Sequence, residues 1–449
     1  MLDRECIYFR EYRLILIVSR KNKVLVVGAG ISGLAAAKNL NDSGYDVTIL
    51  EAKDRIGGRL YTDRSLGVPL EVGANWIHDN NPETNPIMKI KEDLGLESHK
   101  CSLAGSVASF EVLDKVGNKI KVTNKELEKI EFRVGIFAYL AKYLRPSTSL
   151  KEIFNFVKKL GLLSFVKEEA LFVLIQKIAL EQADDPDKVS IEALFEQEEF
   201  ANDEAVIGGY DQIAYYFEKE LHNKIILNSP IQHINYEQDI IKVISGNETY
   251  EANAVIVTAS LGVLKKEVIK FIPELPIKKQ QSIEKLGWGT LNKVMLKFTH
   301  KFWGDTDFIV VANKESKFHA WINEEPICKE PVIVATITGE NAKKLENKSD
   351  EEVAQIALNE LKAVYGNKVS ELDSYFVSKW SLDPYVFGSY STNKVGENNQ
   401  LLRKNLSTPV NSKLFFAGEA TSVKIAGYLQ MALQSGLREA ENIKKIYPN

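Results

Sequence analysis

The segment that most restricts the fold runs from Lys23 to Gly58. Val24-Leu25-Val26-Val27 is an unbroken apolar run, as expected of a strand covered on both faces of a parallel sheet, where polar alternation is lost. Gly28-Ala29-Gly30-Ile31-Ser32-Gly33 follows at once, residues 34–40 have helical composition, and a second apolar run over 47–50 ends in Glu51. Strand, glycine turn, helix, strand and acid, in that order, are the parts of a dinucleotide-binding unit.

Each glycine has a physical task in such a unit. Gly28 permits the tight turn, Gly30 lets the backbone approach a pyrophosphate, and Gly33 lets the helix pack closely on the sheet. The helix start then faces the phosphates, where free N–H groups and the dipole favour an anion by about 0.3 to 1 kcal/mol. Glu51 stands 18 positions after Gly33. There it can accept from ribose hydroxyls and would repel a 2'-phosphate, which favours FAD or NAD over NADP.

The rest of the chain must supply more than this unit, since 449 residues imply two or three domains, possible interleaving included. Hydrophobic residues at 45% and charged residues at 26% exclude a disordered or collagenous chain. Net charge is -4 and no long basic block occurs, so nucleic acid is not an expected partner. Cys6, Cys101 and Cys328 lie too far apart for a disulfide framework or a metal pair. No metal site is expected, and a reducing, cytoplasmic setting is. No apolar run approaches the roughly 20 residues of a membrane helix, so no membrane anchor is expected. Residues 14–18 are apolar, but Asp3, Glu5 and Glu11 precede them where a signal peptide would be basic. Residues 1–20 read as an N-terminal extension.

From about 85 to 203 the pattern is helical, with apolar residues recurring at three and four over 126–144 and 150–178. Strands are predicted over 224–227, 231–236, 240–244 and 254–258, returning to the composition of the first sheet. Residues 290–380 read as a second sheet, with strands over 293–298, 308–311, 332–337 and 375–380 and one helix over 351–365. A last short strand, 414–417, precedes a helix over 428–446.

Further motifs follow the first: Arg55-Ile56-Gly57-Gly58-Arg59, then Glu71-Val72-Gly73-Ala74-Asn75-Trp76-Ile77-His78, and Phe416-Ala417-Gly418-Glu419. Together, over residues 23–445, they resemble the flavin-containing amine oxidase family. Leu291 to Phe298, which includes Lys293, and Trp380 to Ser391, which includes Asp383-Pro384 and Gly388-Ser389-Tyr390-Ser391, look most like the polyamine oxidases of that family. The resemblance implies an α/β architecture: a Rossmann-like FAD-binding domain assembled from the discontinuous segments 21–84, 204–288 and 381–449, with an inserted α+β substrate-binding domain of 85–203 and 289–380.

It also implies roles. Gly28, Gly30, Gly33, Glu51, Arg59, Gly73, Ala74, Asn75, Trp76, Ile231, Trp380, Gly418 and Glu419 would bind FAD, with Glu51 on ribose, Arg59 on pyrophosphate and Glu419 on the ribityl chain. Ser389 stands where monoamine oxidases carry a cysteine bonded to flavin, so the FAD is expected to be non-covalent. Lys293 would hold a water beside flavin N5. Tyr390 and Tyr428 would flank the substrate amine, and His78, of a residue type with a reference pKa near 6.5, would handle a proton there. Glu181, with Asp184 and Asp185 after it, would meet distal ammonium groups. The implied partners are a small-molecule amine and dioxygen, the amine being a polyamine of the spermine or spermidine type. The alternatives are a monoamine or L-amino-acid oxidase, or a flavoprotein scaffold without turnover; the oligomeric state stays open.

Overall fold

The computed structural model describes residues 22–448 apart from 102–108, 146, 165, 196–202 and 319, so the expectation for residues 1–20 lies outside the described residues. The glycine unit sits at the centre of a five-stranded parallel sheet ordered Leu414–Phe416, Ala254–Val257, Lys23–Val27, Asp46–Leu50, Ile225–Ile226. The missing alternation in the first strand has the expected cause. Val24 and Val26 pack under the helix Ile31–Asp42, while Leu25 and Val27 face a second apolar cluster on the opposite side. The helix Leu429–Ile446 packs on the first helix, and a Cβ at Gly436 would come within 2.0 Å of the Ser32 carbonyl oxygen. The sheet thus collects strands from three distant stretches of chain.

A second sheet has seven strands, ordered Leu372–Val377, Leu291–Phe298, Val332–Thr338, Ala320–Asn323, Phe308–Val311, Phe110–Leu113, Lys119–Ile120. Strand alternation decides what it does for the site. Val294 and Leu296 pack with the helix Asp350–Tyr365, and Met295 faces the other way, toward Leu70, Val72 and Trp380. Lys293 shares parity with Met295 and therefore points toward the glycine-bearing sheet.

Several expectations need correction. The 85–203 stretch is not wholly helical, since Ser98–Lys100 pairs with Glu204–Val206, and Phe110–Leu113 and Lys119–Ile120 extend the second sheet. The stretch 150–178 forms two helices, Leu150–Lys159 and Glu168–Gln182, broken at Gly161, whose φ of 73° leaves the helical region. Ala320–Asn323 and the helix Gly339–Glu346 were not expected, being too short and too flanked by charge to show a period. The strand expected over 375–380 is Leu372–Val377; Trp380 lies past its end, where its backbone N–H donates to Asn292 Oδ1.

Candidate active site

A cavity of 1060 Å³ is lined by residues of both sheets and the segments around them, Gly28 and Tyr428 among them. Around Gly28 the wall is backbone. Gly28, at φ 104°, turns the chain out of the first strand, and Gly30 caps the helix Ile31–Asp42 without a side-chain hydrogen bond, leaving first-turn N–H groups for a ligand. The three glycines differ in why they lack a side chain. A Cβ at Gly33 would lie 2.0 Å from the Gly28 carbonyl oxygen, whereas at Gly30, with an ordinary φ of -70°, it would meet nothing nearer than Gly57 O at 4.0 Å. Gly30 is open toward the cavity, with room for a ligand against its backbone. Gly33 is not in the cavity wall; its task is packing beneath the loop.

Glu51 is 7% exposed, and its two oxygens accept from Ala29 N–H at 2.6 Å and Lys53 N–H at 2.9 Å. Burial pushes its carboxyl above the ordinary range. Each oxygen retains acceptor capacity for a hydroxyl in the cavity it lines.

Arg59 and Glu419 meet in the middle of the wall. Arg59 Nη1 donates to Glu419 Oε1 at 2.9 Å and to the Ser389 carbonyl at 2.8 Å. Glu419 Oε2 accepts from Ser391 Oγ at 2.6 Å and Gly427 N–H at 3.0 Å. Burial alone would raise this carboxyl; Arg59, Ser391 and Arg403 outweigh it and hold the group below its ordinary value. The two residues expected on pyrophosphate and ribityl thus hold each other. Gly73, Ala74, Asn75, Trp76, Ile231, Trp380 and Gly418 line the same cavity. Ser389 Oγ donates to Leu291 O and accepts from Leu291 N–H, which ties its loop to the strand of Lys293.

Lys293 is 3% exposed and its Nζ donates to Glu71 O at 2.6 Å, Gly73 O at 2.8 Å and Asn75 Oδ1. An ammonium has three hydrogens, so each is engaged by the protein, and a water at its tip would take the place of one of these acceptors. Burial pushes Lys293 down to about 8, opposed by the neighbouring Glu324 and Glu71 carboxyls. Asn75, Glu71 and Glu324 are functional neighbours of the lysine that sequence reasoning did not assign to it.

At the far end Tyr390, Tyr428 and His78 converge. The Tyr390 hydroxyl donates to Leu180 O at 2.5 Å, which fixes its ring. Tyr428 stands edge-on to His78, centroids 4.9 Å apart, and both tyrosine hydroxyls are pushed up by removal from solvent. His78 Nδ1 lies 2.9 Å from Asp203 Oδ1. Glu181 lines the cavity; Asp184 and Asp185 do not. They form a turn in which Asp184 Oδ1 accepts from Asp185 N–H and Asp185 faces Lys188 and Glu340 N–H. The acids Glu128, Glu131 and Asp203, which also line the wall, had no local sequence sign.

Known proteins resolve what such a cavity belongs to. The family model described as flavin containing amine oxidoreductase matches residues 31–444. The chain belongs to that family. Among its relatives are probable polyamine oxidase 4 of Arabidopsis thaliana, 31% identical over 94% of this chain and 87% of that one, and polyamine oxidase 5 of Oryza sativa subsp. japonica, 32% identical over the same shares. The solved structure of a putrescine oxidase, wild type bound to putrescine, matches with a TM-score of 0.79 at 21% identity, covering 95% of this chain and 99% of that one, which is a likeness of fold.

The cofactor of this flavin amine oxidoreductase is FAD. The cavity suits it: open glycine backbone and a helix start at one end, a carboxylate with spare acceptor capacity beside them, and an elongated volume continuing to Lys293. Among the described residues, no group of His, Cys, Asp and Glu side chains is arranged to hold a metal ion, and no helix is long and apolar enough to cross a membrane.

Proposed function

We propose that the protein is an FAD-dependent oxidase of aliphatic polyamines of the spermine and spermidine class, producing hydrogen peroxide. The observation that carries this reading is the far half of the cavity, where a tyrosine pair is approached past Glu128, Glu131, Glu181 and Asp203. The plant relatives named polyamine oxidases support it. An amino-acid substrate would need a partner for its carboxylate. Arg59, the one arginine among the described lining residues, is already paired with Glu419.

When bound, FAD supplies the acceptor for hydride from the carbon beside nitrogen and passes the electrons to dioxygen, leaving an imine for water to hydrolyse. The protein's own residues prepare that step. Tyr390 and Tyr428 exclude water and offer ring faces to cationic character at the nitrogen, each worth on the order of 0.5 to 2 kcal/mol. His78, within hydrogen-bond distance of Asp203 at Nδ1 and edge-on to Tyr428, sets a polar ring beside the incoming amine. Lys293 presents a cation at the place where its strand meets the Gly73–Asn75 turn. Ser389 offers no thiol for a flavin bond, so acid precipitation should release all yellow colour to the supernatant.

Steady-state peroxide assays across spermine, spermidine, their acetylated forms, benzylamine and amino acids test the reading. Polyamine turnover is expected, and Tyr428→Ala should lower kcat by about tenfold with FAD retained. Turnover of benzylamine or amino acids alone would overturn the substrate class, and no turnover at all in flavin-loaded protein would favour the scaffold reading.

A further inference from the structure

The helix Asn124–Leu144 changes character along its length. Its acids, Glu126, Glu128 and Glu131, lie within the first eight residues, whereas from Val134 to Leu144 the one charged residue is Lys142. One side of this apolar half is covered: Val134 and Ala138 join Ile153, Phe154 and Val157 of the helix Leu150–Lys159 in a buried cluster. The opposite side is exposed. Ile136, Leu140, Tyr143 and Leu144 recur there at helical spacing, with Tyr143 68% and Leu144 78% exposed. Phe156 and Leu160 are exposed on the second helix, and Phe156 meets the ring of Phe137 with centroids 6.1 Å apart, which joins the two helices into one apolar surface. A helix that is apolar all round is ordinarily covered all round, and an open apolar surface of this kind marks an interaction site.

Charge narrows the choice of what covers it. Residues 134–160 hold five basic side chains against one acid, Glu152, in a chain whose net charge is -4. Glu152 is tied into the capping box at Ser149, and Lys158 is paired with Glu168. Arg145 and Lys159, next in sequence to Leu144 and Leu160, are exposed, and Lys142 lies over the ring of Phe195, 5.6 Å from its centroid. A second copy placed on this face by a two-fold axis would set these cations against one another. An anionic bilayer meets both properties at once, with headgroups for the cations and an acyl boundary for the apolar side chains.

We propose that the exposed face of these two helices docks on the surface of an anionic lipid bilayer, with Leu140, Tyr143, Leu144 and Phe156 at the acyl boundary and Arg145 and Lys159 among the headgroups. No helix of the described residues is long and apolar enough to cross a bilayer, so the contact is with its surface. The docking rests on these helices alone and is independent of which amine the cavity takes.

Flotation of the FAD-loaded protein with vesicles of phosphatidylcholine, and of phosphatidylcholine mixed with phosphatidylserine, tests it. Wild-type protein should bind the mixed vesicles about tenfold or more tighter than the neutral ones, and added salt should release it. Leu140→Ser combined with Leu144→Ser, and Arg145→Glu combined with Lys159→Glu, should each weaken binding to the mixed vesicles by about tenfold or more. These four residues lie outside the cavity wall, so melting temperature and FAD content should stay as in the wild type. If the leucine pair lowers the melting temperature, Leu144→Trp replaces it: its emission should shift to the blue on mixed vesicles and stay unshifted on neutral ones. Absence of flotation, flotation indifferent to lipid charge or to both variant pairs, or an unshifted Leu144→Trp emission overturns the proposal. A wild-type dimer that the leucine pair dissociates would give the face to a second copy and overturn it as well.

Discussion

At the cofactor end of the cavity the wall is main chain, with Gly28, Gly30, Gly57, Gly58 and Gly418 presenting backbone on loops anchored to one parallel sheet. At the far end it is side chains, with Glu131 from one helix, Lys177 and Glu181 from another, Asp203 from a connecting segment and Tyr428 from the start of the last helix. The first surface depends on where side chains are absent, the second on which charges are present. Backbone surfaces of this kind tolerate little change in shape, because a single Cβ fills the space. A side-chain surface can be rewritten one residue at a time while the sheets beneath it stay as they are.

Two substitutions at the cofactor end should separate shape from occupancy and give the largest effects. Gly33→Val places a Cβ 2.0 Å from backbone oxygen and should cost about 3 kcal/mol or more, read as a collapse of thermal stability. Gly30→Val has an ordinary φ and open space, so the apoprotein should fold with a near-wild-type melting temperature and fail to hold FAD. If both variants unfold alike, Gly30 serves packing, and the contrast between the two glycines disappears.

The next largest effect should fall where the two halves meet. Lys293→Met is expected to retain FAD while turnover drops on the order of 100-fold, with much of the loss in the dioxygen step. Rapid mixing of reduced enzyme with oxygen reads that step directly. Reoxidation at the wild-type rate would reduce Lys293 to a brace for the Glu71 and Gly73 carbonyls and place the cation of the reaction elsewhere.

What could be read from the sequence follows the same division. The glycine unit is local: strand, turn, helix and Glu51 lie within 29 residues, so periodicity and spacing expose it. The Lys293 site is not local, since its acceptors Glu71, Gly73 and Asn75 lie more than 200 residues away. The motif resemblance pointed to the lysine but could not assign what holds it. Among the three acids expected to face substrate, Glu181 is on the helical face with Lys177, while Asp184 and Asp185 follow the end of the helix at Gln182, where its period no longer sets direction. The i, i+4 relation of Lys177 to Glu181 was readable by helical spacing; Glu131 and Asp203 were not, because tertiary packing alone brings them there. Gly161 lay in plain view inside a stretch read as helical, a reminder that one left-handed residue outweighs an otherwise good apolar period.

The smallest expected effect concerns the electrostatic seam under Lys293. Loss of solvent pushes the Lys293 ammonium down to about 8 and raises the Glu71 carboxyl, and negative charge on Glu324 and Glu71 opposes the loss of the Lys293 proton. Lys293 is therefore charged below about pH 8 and loses its proton as pH rises through that value. In stability the sign is opposite to that of an exposed ion pair. The folded protein holds fewer protons than the unfolded chain between about 8 and the ordinary lysine value of 10.5, so the cost of burying this cation is full below about pH 8 and is relieved above it. Glu71→Gln keeps the backbone carbonyl that accepts from Nζ and an amide oxygen for Thr62 Oγ1 and Tyr210 N–H, while removing the negative charge. With that support gone, Lys293 should lose its proton at lower pH. The falling limb of the oxygen-reaction rate against pH should then move down by less than about one unit with FAD content unchanged. A limb that moves up, or that persists unchanged in Lys293→Met, would assign the titration to another group and separate the seam from the reaction.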